Sequence, residues 1–136
     1  MIVSGNAPCP CHSGARYKRC CRRFHLGKAP ETPEELMRSR FAAYAIGEVV
    51  YVQETTDPKG PQFRADMENW AEELGAFCEQ TQFIGLKILD SATTGQTGMV
   101  SFYASLRQQG SDASFGEVSH FTRIGGRWRY HSAKLN

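Results

Sequence analysis

Four cysteines within thirteen positions, in the segment CPCHSGARYKRCC at residues 9–21, constrain this chain more than any other feature of its sequence. So short a segment cannot bury enough apolar surface to fold alone, and some covalent or metal-mediated link must stabilise it. Disulfide bonds, a redox-active cysteine pair and a bound metal ion are the three explanations to weigh. The fifth cysteine, Cys78, lies far outside the segment.

The spacing of the cysteines and the expected compartment favour a metal ion. The first residues, MIVSGNAPCP, lack the basic start and the apolar run of a secretory signal, so we expect a cytoplasmic protein with reduced thiols. Adjacent Cys20 and Cys21 can bridge each other only through a strained ring. A redox pair of the CxxC type is missing, because the two pairs have CxC and CC spacings.

A tetrahedral zinc site needs four thiolate or imidazole ligands, and two short-range pairs can supply two each when a turn brings them together. Ser13 and Gly14 predict that turn, and a short helix is expected to start near Ala15 and to end at the second cysteine pair. The sequence therefore predicts one structural Zn²⁺ whose binding provides most of the folding free energy of the segment. The predicted ligands are Cys9, Cys11, Cys20 and Cys21.

The same segment resembles the SEC-C motif, the CxCx8C(C/H) zinc module of the C-terminal tail of the SecA translocation motor. The resemblance covers about residues 8–24 and implies that the four clustered cysteines are the zinc ligands. His12 stands where that family usually has glycine. Its imidazole could compete for a ligand position, but we expect an exposed turn residue because four cysteines complete the ligand set. In SecA the module docks on the SecB chaperone, so the resemblance implies a protein-docking role.

Charge is distributed unevenly along the chain, although the net charge is only +2. Residues 1–28 carry six cations and no acid, whereas residues 29–136 carry ten cations and fourteen acids. Because four thiolates and one zinc ion sum to about −2, the module keeps a net positive charge, and we expect an acidic protein surface as its partner. The resemblance to the SecA module implies that this surface is SecB-like. RNA or the ribosome is the alternative, since cations beside Tyr17 would also suit phosphates and bases. The predicted docking residues are Arg16, Lys18, Arg19, Arg22 and Arg23.

The segment KAPETP at residues 28–33 is a Pro-rich hinge that divides the chain into a zinc module at residues 1–28 and a larger domain at residues 29–136. In the larger domain, capping residues and helical spacing predict a helix between Thr32 and Gly47, a second near 48–55 and a third at about 62–79. Four alternating segments beyond residue 80 predict antiparallel strands. This order indicates an α+β fold, with three helices on one face of a four-stranded sheet. No run approaches the about 20 apolar residues of a membrane helix, so we expect no membrane partner.

Strand alternation places polar residues on the same face of the sheet as aromatic ones. Glu117 and Ser119 share a strand face with two phenylalanines, while Arg40 lies on the apolar stripe of the first long helix. We expect Arg40 and Glu117 to form a structural ion pair; unpaired, Glu117 would be a carboxylate with a perturbed pKa inside a pocket. The possible cavity residues are Arg40, Tyr44, Glu117 and Ser119.

Nearly the whole chain, from about residue 8 to residue 133, resembles the YchJ family, in which a SEC-C motif precedes a domain similar to nuclear transport factor two. The resemblance rests on ETPEELMRSRFAAYAIGEVVYVQETTDP, FIGLKILDS and GEVSHFTRIGGRWRYHS. It implies a cone in which the helices close over a strongly curved sheet, and it carries over no catalytic residue.

An adapter is the function that we expect from these features: the basic zinc module docks on a protein partner, and the cone presents a second binding surface. The alternative is a small-molecule carrier or an acid/base enzyme that uses the cone cavity. A catalytic pair of Glu117 and His120 is disfavoured, because residues three apart on a strand face opposite sides. His131 and His25 are expected to be surface or hinge histidines. Four cysteine ligands also leave no open zinc position for a reactive water molecule.

Overall fold

The computed structural model describes residues 3–135, which form an N-terminal module and an α+β domain packed together. The module contains a 3₁₀ turn, Tyr17–Arg19, and helix α1, Cys21–His25. The helices of the domain are α2 Pro33–Ile46, α3 Val49–Glu54 and α4 Met67–Gln80. The strands are β1 Thr81–Thr94, β2 Thr97–Gln108, β3 Ser111–Asp112, β4 Phe115–Ile124 and β5 Arg127–Leu135. The predicted α+β fold, with helices before strands, is confirmed.

Helix α2 begins and ends where the sequence predicts. The Glu35 N–H donates to Thr32 Oγ1 at 3.1 Å, and the Glu35 carboxylate accepts from the N–H of Glu31 at 2.8 Å. The first bond satisfies an amide that the first turn of a helix leaves free, and the second fixes the residue that precedes the cap. Gly47 ends the helix with φ of +78°, a left-handed conformation that glycine adopts at little steric cost. Because both ends are capped locally, the helical period decides which side chains of α2 face the sheet.

Helix α4 begins at Met67, later than the predicted start near residue 62. The Asp66 carboxylate caps it by accepting from the N–H of Asn69 at 3.2 Å. The residues before this cap form a loop with two prolines, which lack the N–H that a continuous helix needs. This loop turns back onto β5, where the N–H of Asp57 donates to the Tyr130 carbonyl at 2.8 Å.

The strands form one antiparallel sheet in the order β1-β2-β4-β5, and the two-residue β3 pairs with β2. The four predicted strands are confirmed, and β3 has no counterpart in the prediction. Register shifts interrupt β1 at two places, between Phe83 and Gly85 and between Ile88 and Asp90, and β5 at one, where His131 is the extra residue opposite β4. Such irregularities bend and twist strands, so the sheet can curve around the helices.

The main core lies between α2 and the inner face of the sheet. The inward-facing residues of β2 are all buried, as strand alternation predicts, and they are Val100, Phe102, Ala104 and Leu106. Leu36 and Phe41 of α2 pack in the same cluster, together with Phe121 of β4 and Trp128 of β5. Within residues 3–135, none of the helices has both the length and the apolar character that crossing a membrane requires.

The module packs against α2 through smaller clusters of its own. Buried Tyr17 lies in a cluster with Ala42, and buried Phe24 lies in another with Ala43 and Tyr51. Helix α2 therefore contacts the sheet on one side and the module on another. The segment that carries the four cysteines rests on the same helix that directs Arg40 toward the sheet.

Candidate metal centre and cone cavity

The four clustered cysteines bring their sulfur atoms into the arrangement that a tetrahedral ion needs. All four Sγ atoms lie within 4.8 Å of one another, with 3.5 Å between Cys11 and Cys20 and 3.9 Å between Cys20 and Cys21. A tetrahedron with metal–sulfur bonds of about 2.3 Å has sulfur–sulfur edges of about 3.8 Å, so the four residues fit such an ion. Cys20 is half-buried and the other three are buried. The cluster could hold one metal ion in a closed shell of four sulfurs.

A tight turn joins the two cysteine pairs. The Cys9 N–H donates to the Ala15 carbonyl at 2.9 Å, and the His12 N–H donates to the Cys9 carbonyl at 3.0 Å. His12 and Gly14 both have positive φ, 61° and 94°, and these two residues reverse the chain direction. The predicted turn is therefore present, with His12 as one of its left-handed residues.

The continuous helix expected from Ala15 to the second cysteine pair is wrong. Arg16 is extended, and Cys20, with φ of −126° and ψ of −114°, separates the 3₁₀ turn from helix α1, which begins at Cys21. The reason lies in helix geometry: consecutive residues of a helix point about 100° apart, so two adjacent cysteines inside one helix would diverge. The break at Cys20 lets both sulfurs approach the same centre.

The imidazole of His12 points toward the domain and is not part of the sulfur cluster. Its Nε2 lies 3.2 Å from the carbonyl oxygen of Phe83, and its ring meets the ring of Phe41 edge to face at 6.0 Å. The residue is exposed, as expected of a turn residue. Its positive φ also explains why glycine would suit this position.

Hydrogen bonds among the sulfurs favour a thiolate at one position of the cluster. Bonds from the thiols of Cys21 and Cys9 hold the pKa of Cys11 below its ordinary value, and the same bonds raise the pKa of Cys9 and of Cys21. The hydroxyl of Ser13 lies 3.2 Å from Cys20 Sγ, within hydrogen-bonding reach. Since the thiolate is the form that binds metals, an ion would have to displace the protons of the remaining thiols as it binds.

A buried chain of hydrogen bonds joins the module to the domain through His25. Its Nε2 lies 2.8 Å from the Ser39 carbonyl, which can only accept, so Nε2 carries the proton and Nδ1 accepts from the Tyr17 hydroxyl at 2.7 Å. Ser39 Oγ donates to the Leu36 carbonyl at 2.9 Å and accepts from the Tyr51 hydroxyl at 2.7 Å. Burial lowers the pKa of His25, which favours the neutral ring. His25 was expected to be a surface or hinge residue, but it lies at the interface between module and domain. Its partner, the Ser39 carbonyl of α2, could not be predicted from the local sequence.

The His25→Ala variant is expected to lose about 1–3 kcal/mol of unfolding free energy near pH 7.5, because two buried groups lose their partner. The folded-state pKa of His25 lies below the unfolded value of about 6.5, so its contribution is complete above that pH and is lost as the pH falls. Denaturant unfolding at several pH values measures both effects. The gap between wild type and variant should shrink below about pH 6.

His131→Ala is the matched control for that experiment. His131 is half-buried and hydrogen-bonds to the neighbouring Ser132, so its loss should change the unfolding free energy by less than about 0.5 kcal/mol. A His25→Ala protein as stable as wild type near pH 7.5 would show that the hydrogen-bonded chain does not hold the module.

A cavity of about 330 Å³ lies between α2, α4 and the inner face of the sheet. The structure places all four predicted cavity residues in its wall: Arg40, Tyr44, Glu117 and Ser119. The rest of the wall is mostly apolar. Gln62 of the loop before α4 also lines it and donates to the Tyr130 hydroxyl at 3.1 Å. The sequence placed Gln62 at the start of the predicted third helix and gave no indication that it lies in a loop at the cavity wall.

Arg40 is held at one side of the cavity by neutral oxygen atoms. Its Nη1 donates to the Val52 carbonyl at 3.0 Å, to Thr55 Oγ1 at 2.7 Å and to Thr56 Oγ1 at 3.1 Å. The guanidinium carbon lies 4.7 Å from the centre of the Tyr130 ring, in a cation–π contact. The side chain is only 5% exposed.

The expected ion pair between Arg40 and Glu117 is wrong. Within residues 3–135 the salt bridge present joins Arg38 to Glu34 at 3.3 Å. The end of α3 supplies the carbonyl and hydroxyl oxygens that accept from Arg40, and carbonyls at a helix C-terminus favour a cation. Those partners come from a neighbouring helix, so the alternation of a strand could not indicate them.

Glu117 instead fits the alternative expectation, a half-buried carboxylate that lines a pocket without a cationic partner. Burial raises its pKa above the ordinary value, and among the described residues it has no hydrogen-bond partner. Ser119, two residues along β4, is 2% exposed and its hydroxyl likewise has no protein partner there. Burial also raises the pKa of Tyr44, while the positive charge of Arg40 opposes the rise. His120 is exposed and does not line the cavity, as strand alternation predicts.

The five predicted docking residues all lie on the exposed surface of the module: Arg16, Lys18, Arg19, Arg22 and Arg23. We call this set the basic surface. None of its members forms an ion pair with an acidic side chain in the part of the chain that the structure describes. The Nε of Arg23 donates to the Cys20 carbonyl at 3.0 Å, so the backbone of the cysteine cluster helps to orient this surface.

Known proteins share both parts of this arrangement. The model of the SEC-C motif matches residues 6–23, and the model of the middle NTF2-like domain of YchJ matches residues 32–133. A UPF0225 protein of Streptomyces coelicolor is 37% identical over 127 residues, covering 90% of this chain and 91% of that protein. A UPF0225 protein of Haemophilus influenzae strain PittEE is 35% identical over 126 residues, covering 90% of this chain and 74% of that protein.

A solved structure agrees with the sequence comparisons. The solution structure of a SEC-C motif containing protein from Rhodopseudomonas palustris matches with a TM-score of 0.81 and 33% identity, covering 96% of this chain and 99% of that one. The similarity therefore extends over the module and the domain together.

Proposed function

Since the chain belongs to the YchJ family of UPF0225 proteins, with a SEC-C motif ahead of an NTF2-like domain, we propose that it is an adapter protein whose N-terminal module is folded by a bound zinc ion. One Zn²⁺ bound by the four clustered cysteines shapes the module, whose basic surface docks on an acidic protein surface. The cone presents a second binding surface. Zinc is the ion of choice because a tetrahedral set of four thiolates suits it best and leaves no open position for catalysis.

The observation that carries this proposal is the unpaired charge of the basic surface. Residues 1–28 contain no acidic side chain, and the exposed cations of the basic surface form no salt bridge with any acidic side chain among residues 3–135. A metal with four thiolates removes only part of the positive charge, which leaves about +4 on a small area. Complementary negative potential on a partner would speed association and select that partner.

The apolar side chains of the module favour a protein partner over RNA. Leu26 is 76% exposed, and it lies between the cationic residues Arg23 and Lys28 in sequence. An exposed leucine flanked by cations suits a hydrophobic pocket with an acidic rim. Proteins that bind single-stranded RNA usually stack bases on exposed aromatic rings. Here Tyr17 and Phe24 are buried, so neither ring is available for stacking.

A groove of about 360 Å³ extends the positive charge across the boundary between module and domain. Lys28 of the module and Arg127 and Arg129 of β5 line it. Glu54 also lines the groove, and its carbonyl accepts from Arg129 Nη1 at 2.7 Å. A carboxylate of a docked protein could pair with the exposed side chains of Lys28 and Arg127.

Capture from native extract with charge variants tests the proposal. In the module variant, Arg16, Lys18, Arg19 and Arg22 are changed to glutamine, and Arg23 is kept because it bonds to Cys20. In the matched domain variant, four exposed cations away from the basic surface are changed to glutamine: Lys59, Arg64, Lys87 and Lys134. Both variants carry the same net charge, and both should retain one zinc ion per chain.

An acidic protein is expected to bind to wild type and to the domain variant, and binding to the module variant should be at least about tenfold weaker. The interaction should also weaken as salt increases, because exposed charges are screened. Release of the captured material by ribonuclease would assign the surface to RNA. Equal binding by the module variant and wild type would refute the docking role.

A further inference from the structure

The cone cavity contains polar groups that the protein itself leaves without partners. Ser119 is 2% exposed, yet its hydroxyl has no hydrogen bond within residues 3–135. Arg40 uses Nη1 for its hydrogen bonds to Val52, Thr55 and Thr56, and its guanidinium also lies within reach of the Tyr44 hydroxyl, another residue of the cavity wall. A hydroxyl that lines a cavity and has no protein partner among the described residues is free to bond to a molecule that enters the cavity.

The charges in the cavity determine the charge of a suitable ligand. The wall carries one guanidinium and one carboxylate, Arg40 and Glu117, and the two do not form an ion pair. A purely anionic ligand would leave Glu117 unpaired, and a purely cationic ligand would leave Arg40 without a counter-charge. A ligand with both an anionic and a cationic group can satisfy both residues and remain neutral overall.

The register of the sheet separates the two polar ends. Arg40 lies over Tyr130, which pairs with Phe121 in the register of β4 and β5. Ser119 lies two residues from Phe121 on the same strand, and Glu117 lies two residues farther along. Alternate residues of a strand are about 7 Å apart, so Ser119 lies between the cationic end and the acidic end of the cavity.

The aromatic side chains in the rest of the cavity wall favour a ligand with a small aromatic ring. Phe83 meets Phe41 edge to face at 5.5 Å and Phe77 at 6.0 Å between ring centres, and Phe102 meets Phe115 in the same way at 5.9 Å. Such rings interact well with another aromatic ring. A cavity of about 330 Å³ lies at the small end of the range for ligand pockets. Phe77 is 36% exposed and lies at the rim, where a ligand could enter.

We propose that the cone cavity binds a small aromatic zwitterion of amino-acid size, whose carboxylate meets Arg40 and Ser119, whose ammonium meets Glu117 and whose ring packs among the phenylalanines. The carboxylate accepts from the guanidinium and from the serine hydroxyl. The ammonium donates to the Glu117 carboxylate. No covalent step is involved, and the site acts as a binding pocket independent of the basic surface.

Three related probes test this assignment on the full, zinc-loaded chain: L-phenylalanine, 3-phenylpropionate and 2-phenylethylamine. The first carries both charged groups, and each of the others lacks one. Titration followed by amide resonances should give saturable shifts at residues that line the cavity. We expect phenylalanine to bind at least tenfold more tightly than either of the other two. Equal affinity for all three probes, or no saturable shift at the cavity with phenylalanine, would overturn the proposal.

Isosteric variants separate the two charged contacts. Glu117→Gln should lower the affinity for phenylalanine at least fivefold, because the residue that meets the ammonium group is altered. The affinity for 3-phenylpropionate, which has no ammonium group, should stay the same or rise. Glu79→Gln changes an exposed carboxylate of α4 outside the cavity wall and should change neither affinity. An unchanged phenylalanine affinity in Glu117→Gln would contradict the role of that carboxylate. The module variant should bind phenylalanine like wild type, so this test can fail or succeed independently of the docking proposal.

Discussion

Replacing Cys20 with serine is expected to reduce the zinc content of the purified protein from one ion per chain to nearly none. The serine hydroxyl is not a thiolate, so the tetrahedral shell loses one of its four sulfurs. Mutation of residues that hydrogen-bond to metal ligands typically lowers the metal affinity by about 10–100-fold. Loss of a ligand itself should lower the affinity by at least about 100-fold. Because metal binding stabilises such modules, spectroscopic signals of residues 5–25 should lose their dispersion. Elemental analysis and amide spectra measure both results.

Cys78→Ser is the matched control for this experiment. It makes the same chemical change at a half-buried cysteine of α4 that is not part of the sulfur cluster. His12→Gly is a second control, because the imidazole points toward Phe83 and glycine suits the positive φ. Both variants should retain one ion per chain. Unchanged metal content in Cys20→Ser would refute the four-sulfur site, and loss of the ion in His12→Gly would make histidine a ligand.

Gly60→Ala is expected to destabilise the domain by about 2–3 kcal/mol or more, because the new methyl group has no room. A Cβ at this position would lie 2.2 Å from the backbone carbonyl oxygen of His131 in β5. His131 is the extra residue of the bulge in β5, between the paired residues Tyr130 and Ser132, and its backbone cannot move aside as a flexible side chain can. The loop would therefore separate from β5, and the bond from Gln62 to Tyr130 at the cavity wall would be lost. Denaturant unfolding measures the change in free energy.

Gly75→Ala provides the contrasting control. Gly75 lies inside α4, and a Cβ there would meet no atom within 4 Å. Alanine has the higher helix propensity and reduces the freedom of the unfolded chain, so we expect a gain of about 0.5–1 kcal/mol. Equal effects of the two substitutions would show that the close approach of the loop to β5 is not what requires glycine at position 60.

Helix α2 connects the two parts of the molecule for which we propose functions. Arg38 Nη1 donates to the Cys11 carbonyl at 3.3 Å, and the Ser39 carbonyl accepts from His25. The adjacent Arg40 faces the cavity instead. Consecutive residues of one helix thus contact the metal module and the cone, because successive side chains point about 100° apart around the axis.

Much of the fold and part of the candidate site could be predicted from local patterns. Capping by Thr32 and the left-handed Gly47 fixed the bounds of α2, since these signals act within one turn. The alternation of β2 identified its buried face, and that of β4 placed Glu117 and Ser119 toward the cavity. The start of α4 was harder to predict, because the loop before it packs on a distant strand.

The order of helices and strands, the cysteine spacing and the unequal charge of the two parts were determined by the sequence alone, because each depends on residues close together in the chain. Tertiary structure alone decided the partners of Arg40 and His25, which lie on other helices. It also decided that Tyr17 is buried and that the cone keeps an open cavity. These outcomes depend on how whole elements pack, and a local pattern specifies which face is apolar but not which atoms will meet it.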